Sequence, residues 1–383
     1  MTGRFPILYI AEAGAQDAVL SCGVLAYLVE AMPQARFTVV GSPVSAPLFA
    51  DTPRLDRLIV LEKESRLDWF GLWNQVRATN WGLVVDMRGS ALSGKLKRQK
   101  RAVRGEREPG VHAVELAARV LQLDEIPAPR LFVSEATQAA ADALIPADEG
   151  PLLAVGPGAE WMGRRWPAER FAKVASTLVG EGGPLEGGRV VVVGAEADRD
   201  AAHTIRLALP RHRTIELQGR LSPLQAVAAV GRCALYLGGD SLWTDLAVAS
   251  GTPVVAAYGP SDEAERGPWG GVAVRGPRSV DEYRKIDPRL DQAIQHMNDL
   301  PADRVLKAAR KALACDRSPM KATLLSITPT SAIPRPAWLA TSPPRTIRSY
   351  VWVMARPYTR SASALRAAFS TRSAGRSFMC WMA

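Results

Sequence analysis

The sequence predicts an α/β protein made of two Rossmann-like, doubly wound parallel-sheet domains that face each other across a cleft. Nine apolar runs of strand length recur between residues 6 and 259, separated by turns and segments with helical spacing. The runs are rich in Val, Ile and Leu without polar alternation, which is typical of strands buried on both faces of a parallel sheet. A chain of 383 residues that is 47% hydrophobic is long enough for two separate cores.

The nine runs form two series of similar size, which divide near residues 145–151. The first series comprises residues 6–11, 37–41, 57–61 and 82–87. The second series comprises residues 151–158, 189–195, 214–218, 234–239 and 253–259. We therefore predict an N-terminal domain over residues 1–146, a C-terminal domain over residues 150–300 and a closing helix over residues 301–315.

The positive charge of the chain is concentrated at its C-terminal end. Residues 316–383 contribute nine of the ten net positive charges, contain no Glu and are rich in Ser, Thr, Arg and Pro. Because this low-complexity composition cannot bury a core, we predict a disordered basic tail. The tail is either a tether to an anionic surface or an extension without a selected role. The body is close to neutral, so its charge does not indicate its partners.

The composition argues against a zinc protein, a disulfide-rich protein and a membrane-spanning protein. The four Cys and four His residues are scattered, without the close spacing of a zinc site or a disulfide framework. The first apolar run, of about five residues, is too short for a signal peptide, and no apolar run approaches the roughly 20 residues of a membrane span. We therefore predict a cytoplasmic protein without a metal or another cofactor.

Residues 235–262 contain the most informative motif: a strand-like run, a Gly-Gly turn, Asp240-Ser241 and then a helix. Ligands of open α/β sheets bind at the carboxyl ends of strands, where the free N–H groups of a helix start suit a phosphate. Asp240 is better suited to sugar hydroxyls, since a carboxylate repels phosphate. The alternative is that Asp240 or Ser241 only caps the helix.

Two further motifs are predicted to face the same cleft. In residues 154–175 a strand ends at a Gly-Pro-Gly turn, and the next loop carries Arg164, which we interpret as a clamp on a diphosphate. The alternative is a solvated arginine. In residues 11–28 a strand ends in a small-residue turn and Asp17 opens a helix. We interpret this carboxylate as a general base on a hydroxyl nucleophile, and the alternative is a helix cap.

A basic segment follows the strand that ends near residue 87. Residues 86–107 carry eight Lys and Arg residues, of which we select Arg88, Lys95 and Arg98 as contacts to an anionic acceptor. The segment lacks interleaved aromatic residues, which argues against binding of single-stranded nucleic acid. The alternative interpretation is a solvated helix face.

Together, these motifs resemble those of the glycosyltransferase family 9 heptosyltransferases. The segments RRWPAERFA and DSLWTDLAVASGTPVVAAYGPSD are the most specific, and the resemblance covers about residues 5–275 in the right order. It implies a GT-B fold and metal-independent, inverting transfer of heptose from ADP-heptose to the inner core of lipopolysaccharide.

Position by position, the resemblance makes Asp17 the general base. It implies that five residues of the C-terminal domain bind the donor, namely Arg164, Asp198, Asp240, Ser241 and Leu242. The resemblance implies that Arg164 contacts the diphosphate, Asp198 the nucleoside and Asp240 the sugar hydroxyls. It implies that Ser241 and Leu242 form the helix start that binds the diphosphate. The expected partners are a nucleotide-sugar and an anionic glycolipid or core oligosaccharide, with peripheral association at the inner membrane left open.

The chain departs from the family pattern at four positions. The family usually has a basic residue, Gly, Gly and His where this chain has Ala11, Gln16, Leu242 and Asp245. Leu242 removes the residue that allows the closest backbone approach to phosphate, and Asp245 introduces an anion one turn later. Two alternatives therefore stay open: a non-catalytic relative that binds a nucleotide-sugar or glycan, and a nucleotide-sugar epimerase. A dehydrogenase is disfavoured, since no GxGxxG follows the first strand.

Overall fold

The computed structural model describes residues 5–146, 150–289 and 296–316, and the predicted tail after Asp316 lies outside these residues. The strands are β1 (Phe5–Ile10), β2 (Ala35–Gly41), β3 (Leu55–Val60), β4 (Trp81–Asp86), β5 (Arg98–Val103), β6 (Leu152–Gly156), β7 (Arg189–Val192), β8 (Thr214–Glu216), β9 (Leu235–Gly239), β10 (Val254–Tyr258) and β11 (Val272–Arg275). The helices are α1 (Ala15–Ala31), α2 (Arg66–Val76), α3 (Leu92–Lys95), α4 (Ala113–Ala118), α5 (Glu135–Asp142), α6 (Ala168–Val179), α7 (Arg199–Leu207), α8 (Pro223–Val230), α9 (Leu242–Ala249), α10 (Glu263–Arg266), α11 (Val280–Ile286) and α12 (Ala302–Asp316).

The strands form two separate parallel sheets, which confirms the predicted fold class. The first sheet has the order β3-β2-β1-β4-β5, and the second has the order β11-β10-β9-β6-β7-β8. In each sheet the winding direction reverses beside its first strand, between β1 and β4 and between β6 and β9. Ligands of doubly wound sheets bind outside the carboxyl ends of the strands at this reversal. The loops after these four strands are therefore where a site is expected.

The second sheet is covered by helices on both faces. One face packs against α6 and α12 through side chains that include Phe171, Leu178 and Val305. The other face packs against α8 through a cluster that includes Val230 and Tyr236. Burial on both faces explains why the strands of this sheet are continuous apolar runs rather than alternating ones.

Two strands, β5 and β11, were not among the predicted runs. Both lie at a sheet edge. The sequence of β5 is RQKRAV, so the basic segment after residue 86 forms a short helix and an edge strand rather than one solvated helix face. Charged residues protect an exposed sheet edge from aggregation, and in β5 they remove the apolar signal that marks a central strand.

Helix α5 lies before the predicted division near residue 146 but packs on the second sheet. Its Ala141, and Ile145 just after it, belong to the apolar cluster around Tyr236. Helix α12 packs on the opposite face through Val305 and Leu313. The predicted limits of the two domains, 1–146 and 150–300, stay a prediction. Among the described residues no helix is long and apolar enough to cross a membrane.

Candidate active site

The start of α1 places Asp17 at the carboxyl end of β1, beside the reversal point of the first sheet. Gly14 and not Asp17 occupies the N-cap position of α1, so the interpretation of Asp17 as the helix cap is wrong. Instead, the Asp17 carboxylate forms an ion pair with Arg266, with 2.8 Å between Oδ1 and the guanidinium. The side chain remains 38% exposed, and Asp17 is therefore held but accessible.

The start of α9 places Asp240 and Ser241 at the carboxyl end of β9. Ser241 is the N-cap residue, yet its side chain makes no cap bond, and its buried Oγ lacks a hydrogen bond of good geometry. Asp240 accepts a hydrogen bond from Ser261 and lies 3.1 Å from Nε of Arg164. Leu242 is the first helical residue and is half-buried. Neither polar side chain caps the helix: Asp240 is held by Ser261 and Arg164, whereas the Ser241 hydroxyl has no hydrogen-bond partner of good geometry among the described residues.

The loop after β6 brings Arg164 to the same place. Its guanidinium lies between Asp240 and Glu160, at 3.1 and 3.6 Å, and 5.8 Å from the ring of Trp161. Because the side chain is 25% exposed, the interpretation as a freely solvated arginine is wrong. The loop holds a cation against a carboxylate at the reversal point of the second sheet.

Asp198 is buried at the start of α7 and faces this loop. It accepts a hydrogen bond from the backbone N–H of Ala195 at 2.9 Å and lies 3.7 Å from the Arg165 guanidinium. Gly158 packs against its carboxylate so closely that a Cβ there would meet Oδ2 at 2.2 Å. Glycine at this position therefore permits the approach of Asp198 to the loop after β6.

A direct contact joins the two helix starts across the cleft. The amide of Gln16 donates a hydrogen bond of 3.2 Å to Oδ2 of Asp245, in the first turns of α9. Asp245 is 3% exposed, and burial raises its pKa well above the usual range, with a further contribution from Asp240. Arg266 and the bond from Gln16 act in the opposite direction. Asp245 therefore favours its neutral form.

A pocket of about 310 Å³ surrounds Asp17. Its lining is dominated by charged side chains, namely Glu12, Asp17, Arg88, Arg104, Arg107, Glu265 and Arg266. The volume is at the small end of the range for ligand sites and suits one sugar ring with a charged substituent. The pocket lining contains four guanidinium groups and three carboxylates, and each guanidinium is paired with a carboxylate.

The three predicted acceptor contacts do not lie together. Arg88 lines the pocket around Asp17, where it donates to the carbonyl of Ala11 at 2.6 Å and pairs with Glu64 at 2.7 Å. Lys95 lines a separate open groove of about 990 Å³ that Arg88 also reaches. Arg98 donates to the backbone carbonyls of Gly94 and Leu96. Their role in acceptor binding stays a prediction.

Sequence reasoning missed Arg104, Arg107 and Arg266 as site residues. Arg266 lies 249 positions from Asp17, and no local pattern marks it as a partner of that residue. Arg104 follows β5, so the carboxyl-end rule would have found it if the edge strand had been recognised. In the described part of the chain, no group of three or more His, Cys, Asp or Glu residues is arranged to hold a metal ion.

Comparisons with known proteins agree with this architecture. Residues 81–276, more than half of the chain, match the model of glycosyltransferase family 9 (heptosyltransferase). Over 117 residues the chain is 32% identical to lipooligosaccharide heptosyltransferase 2 of Haemophilus influenzae, a match that spans 30% of this chain and 32% of that protein. The aligned part is therefore only about a third of that relative.

Two solved structures share the fold. The family 9 glycosyltransferase from Veillonella parvula superposes with a TM-score of 0.64 at 22% identity, over 81% of this chain and 97% of that one. The ADP-heptose LPS heptosyltransferase II of E. coli superposes with a TM-score of 0.63 at 22% identity, over 82% of this chain and 100% of that one. The GT-B arrangement implied by the motifs is thus confirmed. The chain belongs to glycosyltransferase family 9, the heptosyltransferase family.

Proposed function

We propose that the protein is an inverting glycosyltransferase that moves a heptose-like sugar from a nucleotide-sugar to a lipopolysaccharide core or related glycan. The observation that carries the proposal is the 3.2 Å bond from Gln16 to Asp245, which brings Asp17 next to the start of α9. A base on one side and a phosphate-binding helix start on the other are what a single displacement at an anomeric carbon needs.

In the proposed reaction, Asp17 accepts the proton of an acceptor hydroxyl. The resulting oxygen nucleophile attacks the anomeric carbon of the donor, the bond to the diphosphate breaks, and the configuration inverts. Arg164 and the N–H groups at Ser241 and Leu242 stabilise the negative charge that develops on the leaving diphosphate. Asp240 holds the sugar hydroxyls, and Asp198 holds the nucleoside.

Similar proteins support the choice of donor and acceptor. The E. coli structure with the same fold is named as an ADP-heptose LPS heptosyltransferase, and the Haemophilus relative as a lipooligosaccharide heptosyltransferase. ADP-heptose and an anionic glycolipid core are accordingly the proposed substrates. The enzyme would meet the acceptor at the cytoplasmic face of the inner membrane, without a metal ion.

The first test is calorimetric titration of the full chain with ADP, UDP and GDP. We expect one nucleotide to bind and Arg164→Ala to lose about 1.5–3 kcal/mol of binding free energy, as for a hydrogen bond to a charged group. The matched control is Arg232→Ala, which breaks an ion pair with Asp142. This control should not change the affinity. A wild-type chain that binds none of the three nucleotides would contradict the proposed donor site.

The non-catalytic alternative is favoured by the replacement at Asp245, because an anion near a helix start opposes diphosphate binding. Burial weakens this argument, since the raised pKa of Asp245 favours the uncharged acid. Turnover separates the alternatives. Nucleotide binding without transfer identifies a binding protein, and conversion of the donor without an acceptor identifies an epimerase.

A further inference from the structure

Three consecutive residues of the C-terminal half, Glu265, Arg266 and Gly267, reach across the cleft to the N-terminal half. Glu265 accepts hydrogen bonds from the Arg107 guanidinium at 3.1 Å and from the backbone N–H of Gly110 at 2.9 Å. The carbonyl of Gly267 accepts a hydrogen bond of 3.0 Å from a ring nitrogen of His112. Arg266 therefore lies in a short stretch of chain whose two flanking residues both contact the N-terminal half.

The Arg266 guanidinium lies between the two halves of the site. It donates a hydrogen bond of 2.8 Å to Asp17, and it partly opposes the burial that raises the pKa of Asp245 at the start of α9. On the other side it adds to the lowering of the pKa of Arg104, which burial chiefly causes. The side chain is 26% exposed and lines the pocket around Asp17, so an incoming ligand reaches it.

The four arginines of this pocket have different partners. Arg104 pairs with Glu12, Arg88 pairs with Glu64 and Arg107 pairs with Glu265. Arg266 alone among the four pairs with the candidate base, Asp17. A carboxylate oxygen that accepts a hydrogen bond from a guanidinium is less available to accept a proton from a hydroxyl. The observed contact is therefore a restraint on the proposed reaction.

We propose that Arg266 is a specificity-determining residue, which holds Asp17 until a carboxylate or phosphate on the acceptor draws its guanidinium away and frees the base. The inference rests on the proposed function, since it assumes that Asp17 is the base. An acceptor with an anionic group near its reactive hydroxyl satisfies the guanidinium by a charge-assisted bond and releases Asp17. A neutral sugar of the same shape leaves the ion pair intact and is a poor acceptor.

The exchange predicts that Asp17 and an anion compete for Arg266. We test this competition with inorganic phosphate as the probe, by titration of the full chain at constant ionic strength. Asp17→Asn should bind phosphate about tenfold more tightly than the wild type, because the carboxylate that occupies the guanidinium is gone. Arg266→Gln should bind it about tenfold more weakly.

The double variant decides between a specific exchange and a general charge effect. In the Arg266→Gln background, Asp17→Asn should increase the affinity for phosphate only about twofold, which is the effect expected for screened charges. Glu265→Gln is the matched control, because it removes one carboxylate from the same pocket but frees Arg107 instead. The increase in phosphate affinity that Glu265→Gln causes should be the same with and without Arg266→Gln.

Two results would overturn the inference: no tighter phosphate binding by Asp17→Asn, or an equal gain with and without Arg266. Arg266→Lys replaces the glutamine variant if that variant does not fold, since lysine keeps the charge but lacks the planar fork of donors. It should still bind phosphate more weakly than the wild type. A failure of the proposed function is recognised separately. In that case the wild-type chain binds none of the three nucleotides, and this result does not depend on how the variants bind phosphate.

Discussion

The starts of α1 and α9 are built in the same way, yet one holds an exposed, ion-paired carboxyl group and the other a buried one. Each helix follows a central strand, β1 or β9, through a short turn, and no side chain of the N-cap residue caps either helix. Asp17, at the start of α1, is 38% exposed and paired with a guanidinium. Asp245, at the start of α9, is 3% exposed and receives only an amide bond from Gln16.

The difference shows that the strand–turn–helix unit fixes where a carboxyl group lies but not which groups surround it. Asp17 lies beside the Arg266 guanidinium in an open pocket, where an acceptor hydroxyl can reach it. Burial and the neighbouring Asp240 favour the neutral acid at Asp245. The same substitution, Asp to Asn, is therefore expected to change the reaction rate at Asp17 and the stability of the fold at Asp245.

At Asp17 the exchange should affect the reaction. We expect Asp17→Asn to lower the rate of glycosyl transfer by about 10²- to 10⁴-fold, because the amide accepts no proton from the acceptor hydroxyl. Steady-state kinetics with a nucleotide-sugar donor measure the loss, and thermal unfolding of the variant is the control for folding. A rate within tenfold of the wild type would show that another group is the base.

At Asp245 the exchange should affect stability, and the effect should grow with pH. The buried acid keeps its proton at pH values where the unfolded chain, with an ordinary pKa near 3.8, has lost it. The native state then binds more protons, so wild-type stability falls as pH rises from about 4 through the raised native pKa. Asparagine does not titrate, and Asp245→Asn should gain up to about 1.4 kcal/mol relative to wild type for each pH unit in that interval.

Urea unfolding of wild type and Asp245→Asn between pH 4 and pH 9 measures this slope. The matched control is Asp142→Asn, which removes an exposed carboxylate paired with Arg232. Its difference from wild type should stay within about 1 kcal/mol above pH 5, as for other surface ion pairs. A wild-type curve parallel to that of Asp245→Asn would show that Asp245 is ionised in the folded protein.

The smallest expected effect concerns the bond that joins the two helix starts. Gln16→Ala should lower the free energy of unfolding by about 0.5–1.5 kcal/mol, because it removes one partly buried hydrogen bond to Asp245. The matched control is Gln138→Ala, which removes an exposed bond of 3.1 Å between Gln138 and Asp142. Equal losses in the two variants would show that the contact across the cleft adds nothing beyond a surface bond.

The central strands and the positions of several candidate residues were predictable from the sequence. All nine predicted runs are strands. Seven of them are central strands, which are continuously apolar because both faces are buried, and the other two, β3 and β8, lie at sheet edges. The carboxyl-end rule then places Asp17, Arg164, Asp240 and Ser241 at the two reversal points. The edge strands β5 and β11 were missed. The charges of β5 explain the first, whereas the short apolar β11 is as long as the predicted β7.

The sequence by itself thus determined which strands form the sheets and which polar residues follow them, because apolar periodicity and chain order are local properties. Only the tertiary structure decided the partners and the burial of those residues. The Arg266–Asp17 and Gln16–Asp245 contacts join residues 249 and 229 positions apart. The environment of a carboxyl group is set by all the elements around it, and those elements meet only when the two halves of the chain face each other across the cleft.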